Sequence, residues 1–137
     1  MHRCTLPSSR IIRKLQSLDR ARFRRLVQRA LDGLPPEVSA SLDNIAIVVE
    51  REPSRADLQT AGIEPGDDLF GLYVGVPLPE RSGALQALPD RIVIYQGPLE
   101  RGFHPRDIPR EVQKTVRHEL AHYFGIDDDR LTALGMG

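Results

Sequence analysis

Residues 115–129 read TVRHELAHYFGIDDD and hold two of the chain's four histidines within five positions. The run around them sets their geometry. Val112, Val116, Leu120 and Phe124 recur at every fourth residue, Pro109 stands where a first helical turn tolerates proline, and Asp107 reads as an acid cap. Gly125 reads as the stop. The spacing thus predicts one amphipathic helix from Asp107 to Gly125. On it, His118 and His122 lie about 40° apart in azimuth and about 6 Å apart along the axis, so both imidazoles can ligate one ion. Glu119 lies about 100° round from His118, where its carboxylate reaches a water on that ion without taking a coordination position. Leu120, Ala121 and Phe124 make the segment half buried, as suits a helix crossing beneath a cleft. Gly125 permits a left-handed turn that brings the next residues back toward the histidines.

Two imidazoles are one protein ligand short of a catalytic zinc site. The lone cysteine, Cys4, excludes an intramolecular disulfide and any multi-cysteine zinc cluster, and reads as a free thiol near the terminus. No glutamate follows Glu119, so a glutamate from a downstream helix is excluded as the third ligand. Asp127, Asp128 and Asp129 are within reach, with His104 and Glu111 as remote options. Asp127 also reads as the cap of a last short helix through Leu134, and Asp129 with Arg130 as a solvent-facing pair.

Outward from this helix the chain alternates strand-like runs with Pro- and Gly-rich connections. Residues 44–50, NIAIVVE, form a β-branched run too continuous for a strand covered on one side, and read as a central, doubly covered strand. Residues 69–76 form the next strand, whose glycines suggest a bulge or a close backbone approach. Residues 91–95 form a third, followed by a loop over 97–106. Residues 51–68 and 77–90 are links, the first with a helical turn at 55–61. N-terminal to the strands, Phe23, Leu26, Val27, Ala30 and Leu31 predict a helix from Ser17 or Asp19 to Gly33, and residues 36–42 a shorter one. These elements make an α+β fold: the N-terminal helix and the histidine helix packed on one small, twisted, mixed sheet of three or four strands.

Composition bounds the function. The 137 residues fit one domain over residues 19–137 behind a basic extension at 1–18, and a chain this long buries about two thirds of its unfolded surface. No apolar run has the length of a signal peptide or a membrane span, so the expected compartment is the cytoplasm, with no membrane partner. Arginine outnumbers lysine 17 to 2, a coding bias pointing to a GC-rich bacterial genome. The net charge of zero hides nine basic residues and one acid in residues 1–29. Beyond Phe23 no stacking aromatic interleaves them and no nucleic-acid motif is present, so they read as a solvated face and no nucleic-acid partner is expected.

The segment HELAHYFGIDD is similar to the extended pattern H-E-x-x-H-x-x-G-x-x-H/D, with Asp128 in the last slot, and an aspartate there resembles snapalysin-type peptidases. FRRLVQRALDGLP, LDNIAIVVE, LFGLYVGVPLPERS and IVIYQGPLER resemble successive blocks of the small bacterial zincin-like metallopeptidases, the minimal zincins. The likeness covers about residues 20–135. It implies a compact zincin core, a Zn2+ cofactor held by His118, His122 and Asp128, and Glu119 as catalytic acid/base in the hydrolysis of peptide or protein substrates. Tyr73, Tyr95, Arg101 and His104 are the candidates for stabilising an oxyanion. The protein is expected to be a monomer. The alternatives are a zinc-binding interaction or regulatory module with little turnover, and a nucleic-acid binder using residues 20–29.

Overall fold

The structure, a computed structural model, describes residues 19–64, 66–75, 90–126 and 128–133. In chain order it contains α1 (Arg20–Asp32), α2 (Pro36–Ser39), β1 (Ile45–Glu50), α3 (Arg55–Ala61), β2 (Gly71–Val74) and β3 (Asp90–Tyr95). There follow α4 (Gln96–Gly102), a 3-10 turn at Pro105–Asp107, α5 (Ile108–Phe124) and α6 (Asp128–Ala133). The basic extension, Cys4 and Asp127 lie outside the described residues. Among the described residues no helix is long and apolar enough to cross a membrane.

The strand order is β1-β3-β2, with β1 parallel and β2 antiparallel to β3. The central strand is therefore β3 and not the 44–50 run. Double cover explains why β1 reads as central. Ile45, Ile47 and Val49 face a core built with Phe23, Val27 and Ala30 of α1 and Val112, Val116 and Leu120 of α5. Val48 faces the opposite cluster, where Leu58 and Ala61 of α3 pack with Leu69, Leu72, Val93 and Tyr95. A strand with helices on both faces needs apolar residues at consecutive positions whether or not both its edges are paired. In β3 the same alternation sends Ile92 and Ile94 to the first core and Val93 and Tyr95 to the second.

The helices follow their caps. Asp19 accepts the Arg22 N–H at 2.8 Å and starts α1, whose Phe23, Val27 and Ala30 are buried while its five arginines are exposed. Ser54 and Asp57 form a reciprocal capping box at α3. The expected loop over 97–106 is instead largely helix, with Gln96, Gly97, Pro98 and Leu99 buried in α4. Gly97 and Pro98 read as breakers, but both stand in the first turn, where an N–H has no partner within the helix and proline costs no bond. Gly97 also donates to the Arg51 carbonyl at 2.8 Å, so close that a Cβ at 97 would stand 2.8 Å from that oxygen. Arg101 of α4 then bridges Glu52 at 2.7 Å and Asp68 at 2.9 Å, tying the end of β1 to the approach to β2.

Asp107 does not cap α5 with its side chain. The 3-10 turn already feeds the helix, and the side-chain cap moves back to His104, whose Nδ1 accepts the Arg106 N–H at 3.3 Å. Asp107 pairs with Arg110 at 3.5 Å. The second helix stops at Ser39 and the second strand runs only over Gly71–Val74, both shorter than their sequence patterns.

Tyr95 is fully buried, and its hydroxyl donates to Asp57 at 2.9 Å. Burial pushes the Asp57 carboxyl up, but hydrogen bonds from Ser54 and Tyr95 outweigh it and leave the group below the usual range. Burial first, and then the Asp57 carboxylate, push the Tyr95 phenol well above its ordinary value. A raised phenol contributes stability that is fully present below the unfolded pKa of about 10 and is lost as pH rises toward the folded value. Tyr95→Phe is expected to cost about 1–3 kcal/mol near neutral pH and to flatten the alkaline decline. Urea unfolding of both proteins between neutral pH and about pH 11 checks this; an unchanged alkaline slope would contradict it.

Candidate metal and catalytic centre on α5

Four-residue spacing buries Val112, Val116 and Leu120 under α5 and leaves His118 and His122 exposed on its other side. Their Nε2 atoms stand 3.3 Å apart, with the rings edge to face at 79°. Two imidazole nitrogens each about 2.0–2.1 Å from one tetrahedral ion lie about 3.4 Å apart, so this pair fits a shared zinc. The separation is longer than the usual N–H hydrogen bond, which centres on about 2.9–3.0 Å.

Glu119, one position on, points the other way round the helix and is only 7% exposed. Burial raises the pKa of its carboxyl, opposed by the charges of His122 and His118 and then by the backbone N–H of Tyr73, which donates to the carboxylate. That bond is possible because α5 crosses β2 almost in backbone contact. A Cβ at Gly71 would stand 2.7 Å from Thr115 Cγ2, 3.1 Å from Glu119 Cγ and 3.3 Å from the Val93 carbonyl. The close approach suggested by the strand glycines therefore occurs at residue 71, beneath the helix.

At its C-terminus α5 ends as its glycine predicts. Gly125 has φ 68°, its N–H meets the carbonyls of Ala121 and His122, and Ile126 N–H bonds back to Ala121 at 3.0 Å. The next helix is α6, whose first residue is Asp128. Among the described residues, no group of three His, Cys, Asp or Glu side chains comes together to hold a metal. The remote options stand at the other end of the helix: Glu111 precedes His118 by two turns, about 10 Å, and packs near Arg110 and Lys114, and His104 lies before the helix begins.

The oxyanion candidates are engaged elsewhere. Tyr95 is bonded to Asp57, Arg101 is held by two carboxylates, His104 caps the 3-10 turn, and the Tyr73 hydroxyl donates to Asp90 at 2.5 Å. Residue-type reasoning missed the Tyr73 amide, because a backbone donor has no side-chain signature. Its sequence signal is indirect: a glycine two residues earlier in the strand.

The zincin-like metallopeptidase family model matches residues 42–137, and the chain belongs to that family. Among solved structures, a conserved hypothetical protein from Thermo thermophilus superposes with a TM-score of 0.53 at 24% identity, over 77% of this chain and 92% of that one. At that identity the likeness speaks for the fold alone. No match is found among curated proteins.

Gly71→Ala is expected to destabilise the protein by about 1–3 kcal/mol through overpacking against Thr115 and Glu119. Because the closest atom is a methyl, adding Thr115→Ser should return part of that loss. Denaturant unfolding of the two single variants and the double variant measures the coupling. Strict additivity would mean that the helix does not bear on the strand at this point.

Proposed function

We propose that the protein is a zinc-dependent peptidase in which His118, His122 and Asp128 hold the metal and Glu119 is the catalytic acid/base. The observation that carries this reading is the convergence of two exposed imidazole nitrogens at 3.3 Å beside a buried carboxylate from the same helical turn. Family membership supports the reaction class. A zinc ion bound there would supply Lewis acidity, lowering the pKa of water and polarising a carbonyl. The protein's own chemistry falls to Glu119. Its carboxylate removes a proton from water as the water oxygen attacks the peptide carbonyl carbon, and gives that proton to the amine nitrogen as the C–N bond breaks. Its burial beside two imidazoles suits a group that must both accept and return a proton.

The substrate surface in this reading is the edge of β2 that does not face β3. Tyr95 N–H bonds to the Phe70 carbonyl, so by antiparallel alternation Phe70, Leu72 and Val74 face β3 while the polar backbone groups of Gly71 and Tyr73 face outward. Among the described residues no further strand pairs there. An extended peptide could add along this edge through the backbone groups other than the Tyr73 N–H, which Glu119 already engages. The central strand β3 offers no such edge, because both its edges are paired.

In this reading the exposed arginines of α1 are the solvated face of a helix whose other face packs in the core, and no nucleic-acid partner is required. Digestion of a peptide library by the zinc-loaded protein tests the main reading. Stoichiometric zinc with no cleavage would favour the metal-binding module instead.

Glu119→Gln is expected to keep its zinc and lose about 10²- to 10⁴-fold in kcat, because the amide keeps the shape but cannot take the proton. Wild-type turnover in this variant, with zinc content measured alongside, would remove Glu119 from its role.

Asp128→Ala is expected to lose zinc and activity together, whereas Asp127→Ala should cost only about 1 kcal/mol of capping stability. Metal titration of both variants decides the register. Release by Asp127→Ala alone would move the ligand one residue back.

A further inference from the structure

Asp90 is a buried carboxylate, 4% exposed, on a strand end that the proposed chemistry does not use. Its Oδ2 accepts the Tyr73 hydroxyl at 2.5 Å, within the short range of charge-assisted O–H···O bonds. Its carboxylate also rests against Gly75, where a Cβ would collide with the carboxylate atoms. Only a glycine leaves room for this arrangement. Gly75 and Asp90 are the residues at which the chain leaves β2 and enters β3, so the contact closes the hairpin at its mouth. Tyr73 is the shared member. Its hydroxyl is fixed to Asp90, its ring lies edge-on to Tyr123 at 5.8 Å, and its N–H donates to the Glu119 carboxylate. Tyr123 itself follows His122 on α5.

We infer that Asp90 and Tyr73 are positioning residues: the Asp90–Tyr73 bond fixes the outer edge of β2 so that the Tyr73 amide holds Glu119 in one orientation. Two alternatives are weaker. The bond could be a plain stability contact, but the same residue then would not also present its amide to the buried glutamate. The Tyr73 hydroxyl could be an oxyanion donor, but a hydroxyl donating to a carboxylate at 2.5 Å has its one proton committed. The inference about catalysis rests on the peptidase reading; the part concerning the amide does not.

The test therefore has two readouts. Tyr73→Phe and Asp90→Asn are compared with Tyr95→Phe, which loses the other part-buried tyrosine–carboxylate bond, to Asp57. In metal-free full-length protein, amide hydrogen exchange at residue 73 is expected to accelerate about tenfold or more in the first two variants and to stay unchanged in Tyr95→Phe. In zinc-loaded protein, those two are expected to lose about ten- to a hundredfold in kcat with zinc content preserved, while Tyr95→Phe keeps its kcat. Unchanged protection at residue 73 overturns the positioning role. Lost protection with wild-type kcat overturns its catalytic meaning. If wild type cleaves no peptide, the peptidase reading fails while the exchange result still decides whether the bond holds the amide.

Discussion

The crossing of α5 over β2 at residue 71 is the constraint on which the site depends. A helix normally rides above a sheet at the distance its side chains impose, but here a glycine lets Thr115 and Glu119 descend onto the strand backbone. The approach is too close for a Cβ, and its consequence is chemical: a strand amide reaches a helix carboxylate. Burial disfavours the charged form of Glu119, and the Tyr73 N–H is one of the groups that oppose it. The charges of His122 and His118, and then the Tyr73 N–H, oppose that cost, while the net direction stays upward.

The same helix separates two demands that conflict. A metal must be reached by substrate, whereas an acid/base group works best away from bulk water. Adjacent positions on a helix differ by about 100°, so His118 and His122 face outward while Glu119 turns toward the sheet. One turn of α5 supplies both environments. The left-handed Gly125 then ends α5, and Asp128 stands at the start of the next helix, α6.

The legible parts of the sequence were those governed by local rules. The start of α1 at Asp19, the seven residues of α3 and the glycine stop of α5 each follow from caps and periodicity in a short window. The order of the strands was not legible, because β1 and β3 are both continuous β-branched runs and the difference between them lies in which one has two strand neighbours. That is a long-range property. The α4 helix was hidden for another reason. Gly97 and Pro98 are breakers in a helix interior but harmless in a first turn, so their meaning depends on knowing where the helix starts. At the site, side-chain chemistry pointed to His118, Glu119 and His122; the structure pairs the two imidazoles and turns Glu119 toward the sheet. The Tyr73 amide and its tether to Asp90 were invisible, since one is backbone and the other joins residues across a 17-residue gap.

The family match begins at residue 42, yet the core does not. Phe23 is fully inaccessible to solvent, and with Val27 and Ala30 it packs into the same cluster as Val112, Val116 and Leu120. Those three form the underside of the helix whose upper side carries the histidines. A histidine pair set for one ion needs its helix held against rotation, because a shift of a few degrees at the axis is carried to the ends of both side chains. The sheet restrains α5 at Gly71 and β3; α1 restrains it on the adjacent flank. The helix outside the matched region thus completes the cradle of the histidine helix, and its exposed arginines are the outer surface of an element whose inner surface is structural.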